Sequence, residues 1–160
     1  MEILSWFRTP AGTVAHCEAV ARTALDLAAG YNAAGGALNL RLVLAGALLH
    51  DLAKGHPDHA RTGEAVLRAL ECPAVAAVVG AHTDLPSGAL SPLDERALVY
   101  YADKITRGAQ TVTLEERFSP ALVRFRDNPA ARAAAAVRLE AARRVEQALL
   151  EAGLPRPCSR

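Results

Sequence analysis

The stretch Ala45-Gly-Ala-Leu-Leu-His-Asp-Leu-Ala-Lys-Gly55 ends an apolar run on two side chains able to hold a metal, His50 and Asp51. A carboxylate beside Leu48, Leu49 and Leu52 must give up water, and it stays ionised only if a cation or several donors compensate it. Its partners have to come from elsewhere in the chain. Upstream, Leu40, Val43, Leu44, Ala47 and Leu48 line one side of the run and Leu42, Ala45 and Leu49 another, with Asn39 placed to cap a helix over 40–54. A helix apolar nearly all round belongs in the middle of a bundle.

Proline punctuates the rest. Thr9-Pro10, His56-Pro57, Cys72-Pro73, Ser91-Pro92, Ser119-Pro120 and Asn128-Pro129 each precede a helix-forming segment, where proline's missing N–H costs nothing in the first turn. Helices are expected over about 10–31, 57–71, 73–82, 92–107 and 129–152, with Thr113-Leu-Glu-Glu116 a capping box for a further short one. Arg138, Glu140, Arg143 and Glu146 should face water on the last helix, and 153–160 reads as a frayed tail. No strand-like alternation of useful length occurs.

Composition agrees with an all-α class. The 160 residues are 51% hydrophobic but 4% aromatic, and much of the apolar content is Ala and Leu, the strongest helix formers. The length suits a single domain over 1–160. A net charge of +1 gives no electrostatic case for nucleic acid or a membrane, though it leaves room for a small anionic ligand. Three cysteines without CxxC spacing fit reduced thiols, and no apolar run approaches a membrane span, so a soluble cytoplasmic protein is expected, oligomeric or not.

All five histidines lie between positions 16 and 82. His16 falls on the first helix, His50 with Asp51 on the central one, His59 on the third, His82 at the end of the fourth and Asp103 on the fifth. Singly, each has an ordinary explanation as a hydrogen-bonded core or surface residue. Together they are the ligand types that divalent transition metals prefer, carried on helices as bundles carry metal sites. His56, before Pro57, reads as a capping or surface residue.

These residues resemble the H…HD…D signature of the HD-domain superfamily of metal-dependent phosphohydrolases, over residues of about 10–110. Leu-Leu-His-Asp-Leu-Ala-Lys-Gly55 is the most specific part of the match. The resemblance implies a single-domain orthogonal helical bundle of about six to eight helices, with 114–152 packed on the signature region. It also implies that His16, His50, Asp51 and Asp103 bind one metal, and that His59 and His82 add a second, bridged by Asp51, as in two-metal members. Where some members carry a histidine pair this chain has Ala81-His82, which implies a second site either weaker or completed by water. The run from Ser91 to Ile105 is also similar to HD modules that partner nucleotidyltransferases.

A divalent ion held this way, be it Fe, Mn, Co, Ni or Zn, lowers the pKa of a water toward about 7 and so supplies a nucleophile at neutral pH. Phosphate-ester hydrolysis suits such a site, with Asp51 and Lys54 as catalytic residues. Lys54 is i+4 from His50 and Arg107 is i+4 from Asp103, so either can meet a substrate phosphate, or simply place positive charge near a helix C-terminus. Asp84 reads as a turn residue or as a support for a ligand imidazole, and Tyr100 and Tyr101 as packing or as a pocket wall. The expected activity is a phosphomonoesterase or phosphodiesterase acting on a nucleotide or another small phosphate ester. The alternatives are a metal-bearing nucleotide- or protein-binding module without turnover, and a di-iron oxygenase.

Overall fold

The structure is a computed structural model that describes residues 7, 9–86 and 93–156. Among these lie seven helices: α1 (Ala11–Ala33), α2 (Leu40–Leu49), α3 (His59–Ala69), α4 (Pro73–Ala81), α5 (Glu95–Lys104), α6 (Leu114–Arg124) and α7 (Pro129–Glu151). The one sheet is a two-residue hairpin, β1 (Thr106–Arg107) antiparallel to β2 (Gln110–Thr111). The chain is all-α, as its composition indicates. No helix among the described residues is long and apolar enough to cross a membrane.

The helix starts are set largely by side-chain caps. Asn39 accepts from the N–H groups of Arg41 and Leu42, Asp94 from Ala97, and Asn128 from Ala131, while Thr113 and Glu116 form a full capping box. Three expected starts differ. Pro57 does not open a helix; α3 begins two residues later, at His59, with Asp58 as its N-cap. Pro10 itself is the N-cap of α1, and the Thr9 hydroxyl is buried without a hydrogen bond. Pro120 starts nothing; it lies inside α6 and has no N–H to offer the Glu116 carbonyl, to which the Arg107 guanidinium donates.

α5 is the centre of the bundle, packed against α1, α2, α4 and α7, with every residue from Ala97 to Lys104 buried. That corrects the expectation that the 40–54 segment is central. Leu40 and Leu44 are 41% and 38% exposed on the outer face of α2. The reason is pairing rather than hydropathy. Two tyrosines, an aspartate and a lysine can be buried on α5 because each polar atom has a partner. Tyr100 donates to the Arg138 carbonyl at 2.7 Å and Tyr101 to Glu146 at 3.1 Å, both on α7. An unpaired buried hydroxyl would cost about 1–3 kcal/mol, comparable to what burying a Val or Leu contributes. The Tyr101 contact draws the Glu146 side chain on α7 partly out of the water it was expected to face, leaving it 19% exposed.

Three helices are shorter than the sequence suggests; α3 covers only His59–Ala69 of the expected 57–71. α2 stops at Leu49, and 50–56 continue in tight turns with N–H to i−3 carbonyl bonds, closed by Gly55 at φ +108°. α5 stops at Lys104; Ser91-Pro92, the expected start of this segment, lies outside the described residues. Gly108, at φ +59°, turns the hairpin back so that β1 lies against α1. α2 crosses α4 at Gly46, where a Cβ would come within 2.4 Å of Val78 Cγ1, so only glycine permits the approach. That close crossing sets the C-terminal ends of α2 and α4 side by side.

Candidate metal centre

Those two ends carry the same device. His50 caps α2 and His82 caps α4, and each imidazole turns back so that Nδ1 meets the carbonyl three residues earlier, Ala47 at 2.8 Å and Val79 at 2.6 Å. A carbonyl accepts only, so Nδ1 carries the proton and Nε2 is left as a lone pair. His16 on α1 likewise sets Nδ1 against the Gly108 carbonyl at 3.0 Å, but its Nε2 faces the Asp103 carboxylate, to which a protonated ring donates. The three Nε2 atoms turn toward the same two carboxylates. His59, at the first position of α3, completes a row of four rings with centroid separations of 5.3 Å (His16–His50), 5.1 Å (His50–His82) and 5.0 Å (His59–His82).

The carboxylates sit between these rings. Asp103 Oδ1 lies 3.1 Å from His16 Nε2 and 3.7 Å from His50 Nε2. Asp51 Oδ1 lies 3.3 Å from His59 Nε2 and 3.6 Å from His82 Nε2, while its Oδ2 lies 3.6 Å from His50 Nε2. The other oxygens are held by ammonium groups: Lys54 Nζ at 2.8 Å from Asp51 Oδ2, and Lys104 Nζ at 2.7 Å from Asp103 Oδ2. His16 thus meets Asp103 across 87 positions of sequence.

Electrostatics follow burial and these pairings. Burial, helped by the neighbouring His82 and opposed by Asp103 and Asp51, drives the His50 pKa down to about 4, so the ring is neutral at pH 7. Burial likewise lowers His59, whereas the hydrogen bond to Asp103 raises His16. For Asp51 burial pushes the carboxyl up, but His82, His50 and Lys54 outweigh it and hold it well below the usual range. Asp103 is lowered in the same way, burial being overcome by Lys104, His16 and His50. Cys17, buried next to His16 in sequence, is a neutral thiol, pushed up to about 12 by burial.

The donor set fits a divalent cation. His50 Nε2 and Asp51 Oδ1 are both buried with no hydrogen-bond partner among the described residues. Buried polar groups are paired in nearly all native structures, so these orphans mark where another species belongs. Nε2 of His59 and Nε2 of His82 stand 3.1 Å apart, a spacing that a shared proton or a cation held by both would satisfy. Two groups of ligand atoms satisfy metal spacing, His16 with His50 and Asp51, and Asp51 with His59 and His82, each within 4.8 Å. Asp51 belongs to both.

Of the remaining expected residues, Lys54 lies at the rim, its side chain 50% exposed. Arg107 does not join. The helix that would have set it one turn beyond Asp103 ends at Lys104, and its guanidinium is committed to the Glu116 carbonyl. His56 is exposed and outside the cluster. Asp84 spends its carboxylate on Arg138, at 2.7 and 3.0 Å, clamping the segment after His82 to α7. Tyr100 and Tyr101 are fully buried, each hydrogen-bonded to α7. A cavity of about 320 Å³ lined by Tyr101, Ile105, Arg143 and Glu146 is remote from this chemistry, since Tyr101 and Asp103 are about 160° apart around α5.

Sequence reading missed Lys104, whose ammonium is buried against both Asp103 and the His82 carbonyl. The signal was present: a lysine directly after a ligand-type aspartate in an apolar helix. The three supporting carbonyls, Ala47, Val79 and Gly108, leave no trace in residue type.

A family model, that of the HD domain, matches residues 13–119. The chain belongs to the HD-domain family, whose members are in general metal-dependent phosphohydrolases. No curated protein and no solved structure matches it.

Proposed function

We propose that the protein is a metal-dependent phosphohydrolase acting on a nucleotide or another small phosphate ester. The observation that carries this reading is the pair of buried, partnerless atoms His50 Nε2 and Asp51 Oδ1 at the meeting of two ligand groups. His16, His50, Asp51 and Asp103 would hold one ion, and Asp51, His59 and His82 a second. A divalent transition metal so bound supplies a Lewis acid and an acidified water at neutral pH.

The chain's own side chains do the rest. Backbone bonds to Nδ1 fix the His16, His50 and His82 rings with Nε2 turned inward, so no reorientation is needed on binding. Burial keeps His50 unprotonated and available as a donor. Lys54, half-exposed over Asp51, would meet a phosphate oxygen as a point charge. His59 is also partly exposed, at 24%.

The test is a purified, metal-reconstituted sample screened with Mn, Fe, Co and Ni against nucleotides, phosphodiesters and phosphomonoesters, beside Asp51→Ala. Turnover of one class, abolished in Asp51→Ala, is the expected result. Metal binding with a flat profile across all substrates would favour a binding module instead.

A further inference from the structure

The chain has two lysines, Lys54 and Lys104; every other basic side chain is an arginine or a histidine. Both lysines sit on the aspartates of the centre, each on one carboxylate oxygen. Lys54 Nζ is 2.8 Å from Asp51 Oδ2, an oxygen that also lies 3.6 Å from His50 Nε2, whereas Lys104 Nζ is 2.7 Å from Asp103 Oδ2 and leaves Asp103 Oδ1 alone to meet the His16 and His50 imidazoles. They differ in freedom. Lys54 is half-exposed, whereas the Lys104 side chain is 10% exposed, donates also to the His82 carbonyl at 2.8 Å and lies 4.6 Å from the Tyr100 ring centroid.

We infer that Lys104 is a positioning residue of the metal centre: by occupying Asp103 Oδ2 and the His82 carbonyl together, it presents a single oxygen of Asp103 and holds the two ligand groups at a fixed spacing. This rests on reading the cluster as a metal centre. Asp103 belongs with His16 and His50, and His82 with His59, so one ammonium ties a member of each group to the other. An ammonium suits the place, being compact and able to direct three donors at once, which a planar guanidinium cannot do in the same space.

The sign of one measurement separates positioning from simple charge. Lys104 is a like charge near a bound cation, so Coulomb repulsion alone predicts that removing it tightens metal binding. Loss of a group that orients a ligand predicts the opposite, a weakening of about tenfold or more.

The experiment titrates cobalt(II) into full-length, metal-free wild-type and Lys104→Met proteins by calorimetry and visible spectroscopy, with thermal melts of the metal-free forms to monitor folding. The expected result is that wild type binds cobalt and that Lys104→Met binds it about tenfold more weakly, with altered d–d bands because the freed Asp103 oxygen changes the coordination. Equal or tighter binding with an unchanged spectrum overturns the inference. A wild type that binds no cobalt overturns the metal-centre reading itself.

Should Lys104→Met not fold, wild type still decides. With two lysines, lysine-selective ¹⁵N spectra hold two ammonium signals, assigned by Lys54→Arg. Lys104 is expected to exchange slowly with solvent in both metal-free and zinc-loaded protein, and exchange as fast as Lys54 after loading would overturn the inference.

Discussion

The Arg107 guanidinium donates to the main-chain carbonyl of Glu116, to which Pro120, four residues on, has no N–H to offer. A proline inside α6 is thereby tolerated, and the hairpin is fastened to the helix that follows it. Arg107→Ala should therefore lower stability by about 0.5–1.5 kcal/mol, the worth of one hydrogen bond, and leave kcat and KM near wild type. Denaturant titration beside steady-state kinetics checks this. Lost hydrolysis at unchanged stability would instead return Arg107 to the substrate phosphate.

Gly46 stands where α2 meets Val78 of α4, and the abutting helix ends carry His50 and His82. Gly46→Ala must push the helices apart or displace Val78, at a cost of about 1–3 kcal/mol. Because the crossing also spaces the two histidines, metal affinity should fall with stability. A variant with reduced melting temperature and unchanged metal affinity would separate the crossing from the site.

The metal-free protein should lose stability on mild acidification. His50 is held down to about 4 by burial, against about 6.5 in the unfolded chain, and His59 is lowered for the same reason. Between those values the unfolded state takes up protons that the folded state refuses, so stability falls as pH falls from about 6.5 toward 4. His16 shifts the other way: its contribution is complete below about 6.5 and is lost as pH rises through its raised folded value. Melting temperatures of chelated protein from pH 7 to pH 4.5 should drop, and less steeply in His50→Gln. Parallel slopes would contradict the burial argument.

How much of this was legible in sequence depends on what each residue needed. Asn39, Thr113 and Asn128 announced their helices because a cap acts within three residues. The HD pair announced a cation because a carboxylate among leucines has few other resolutions. The centrality of α5 was not legible, since Tyr100, Tyr101 and Lys104 are buried by partners on α7 and at the end of α4, far away in sequence. Pro120 was misread because its tolerance inside a helix depends on Arg107, and the hairpin was missed because two-residue strands have no periodicity to read.

His59 belongs to one ligand group alone, whereas Asp51 belongs to both. His59→Ala should lower occupancy of one ion and keep the other, with helical content by circular dichroism unchanged. Equal loss of both ions, or unfolding, would count against two separable sites.

The most direct test is a count of transition-metal ions per folded chain, by elemental analysis of protein prepared without chelators or a nickel-leaching tag, in wild type and Asp51→Ala. Bound metal in wild type, one ion for each occupied ligand group, and none in a folded Asp51→Ala is the result expected. Folded wild type that takes up no metal, or Asp51→Ala that holds as much as wild type, would contradict it.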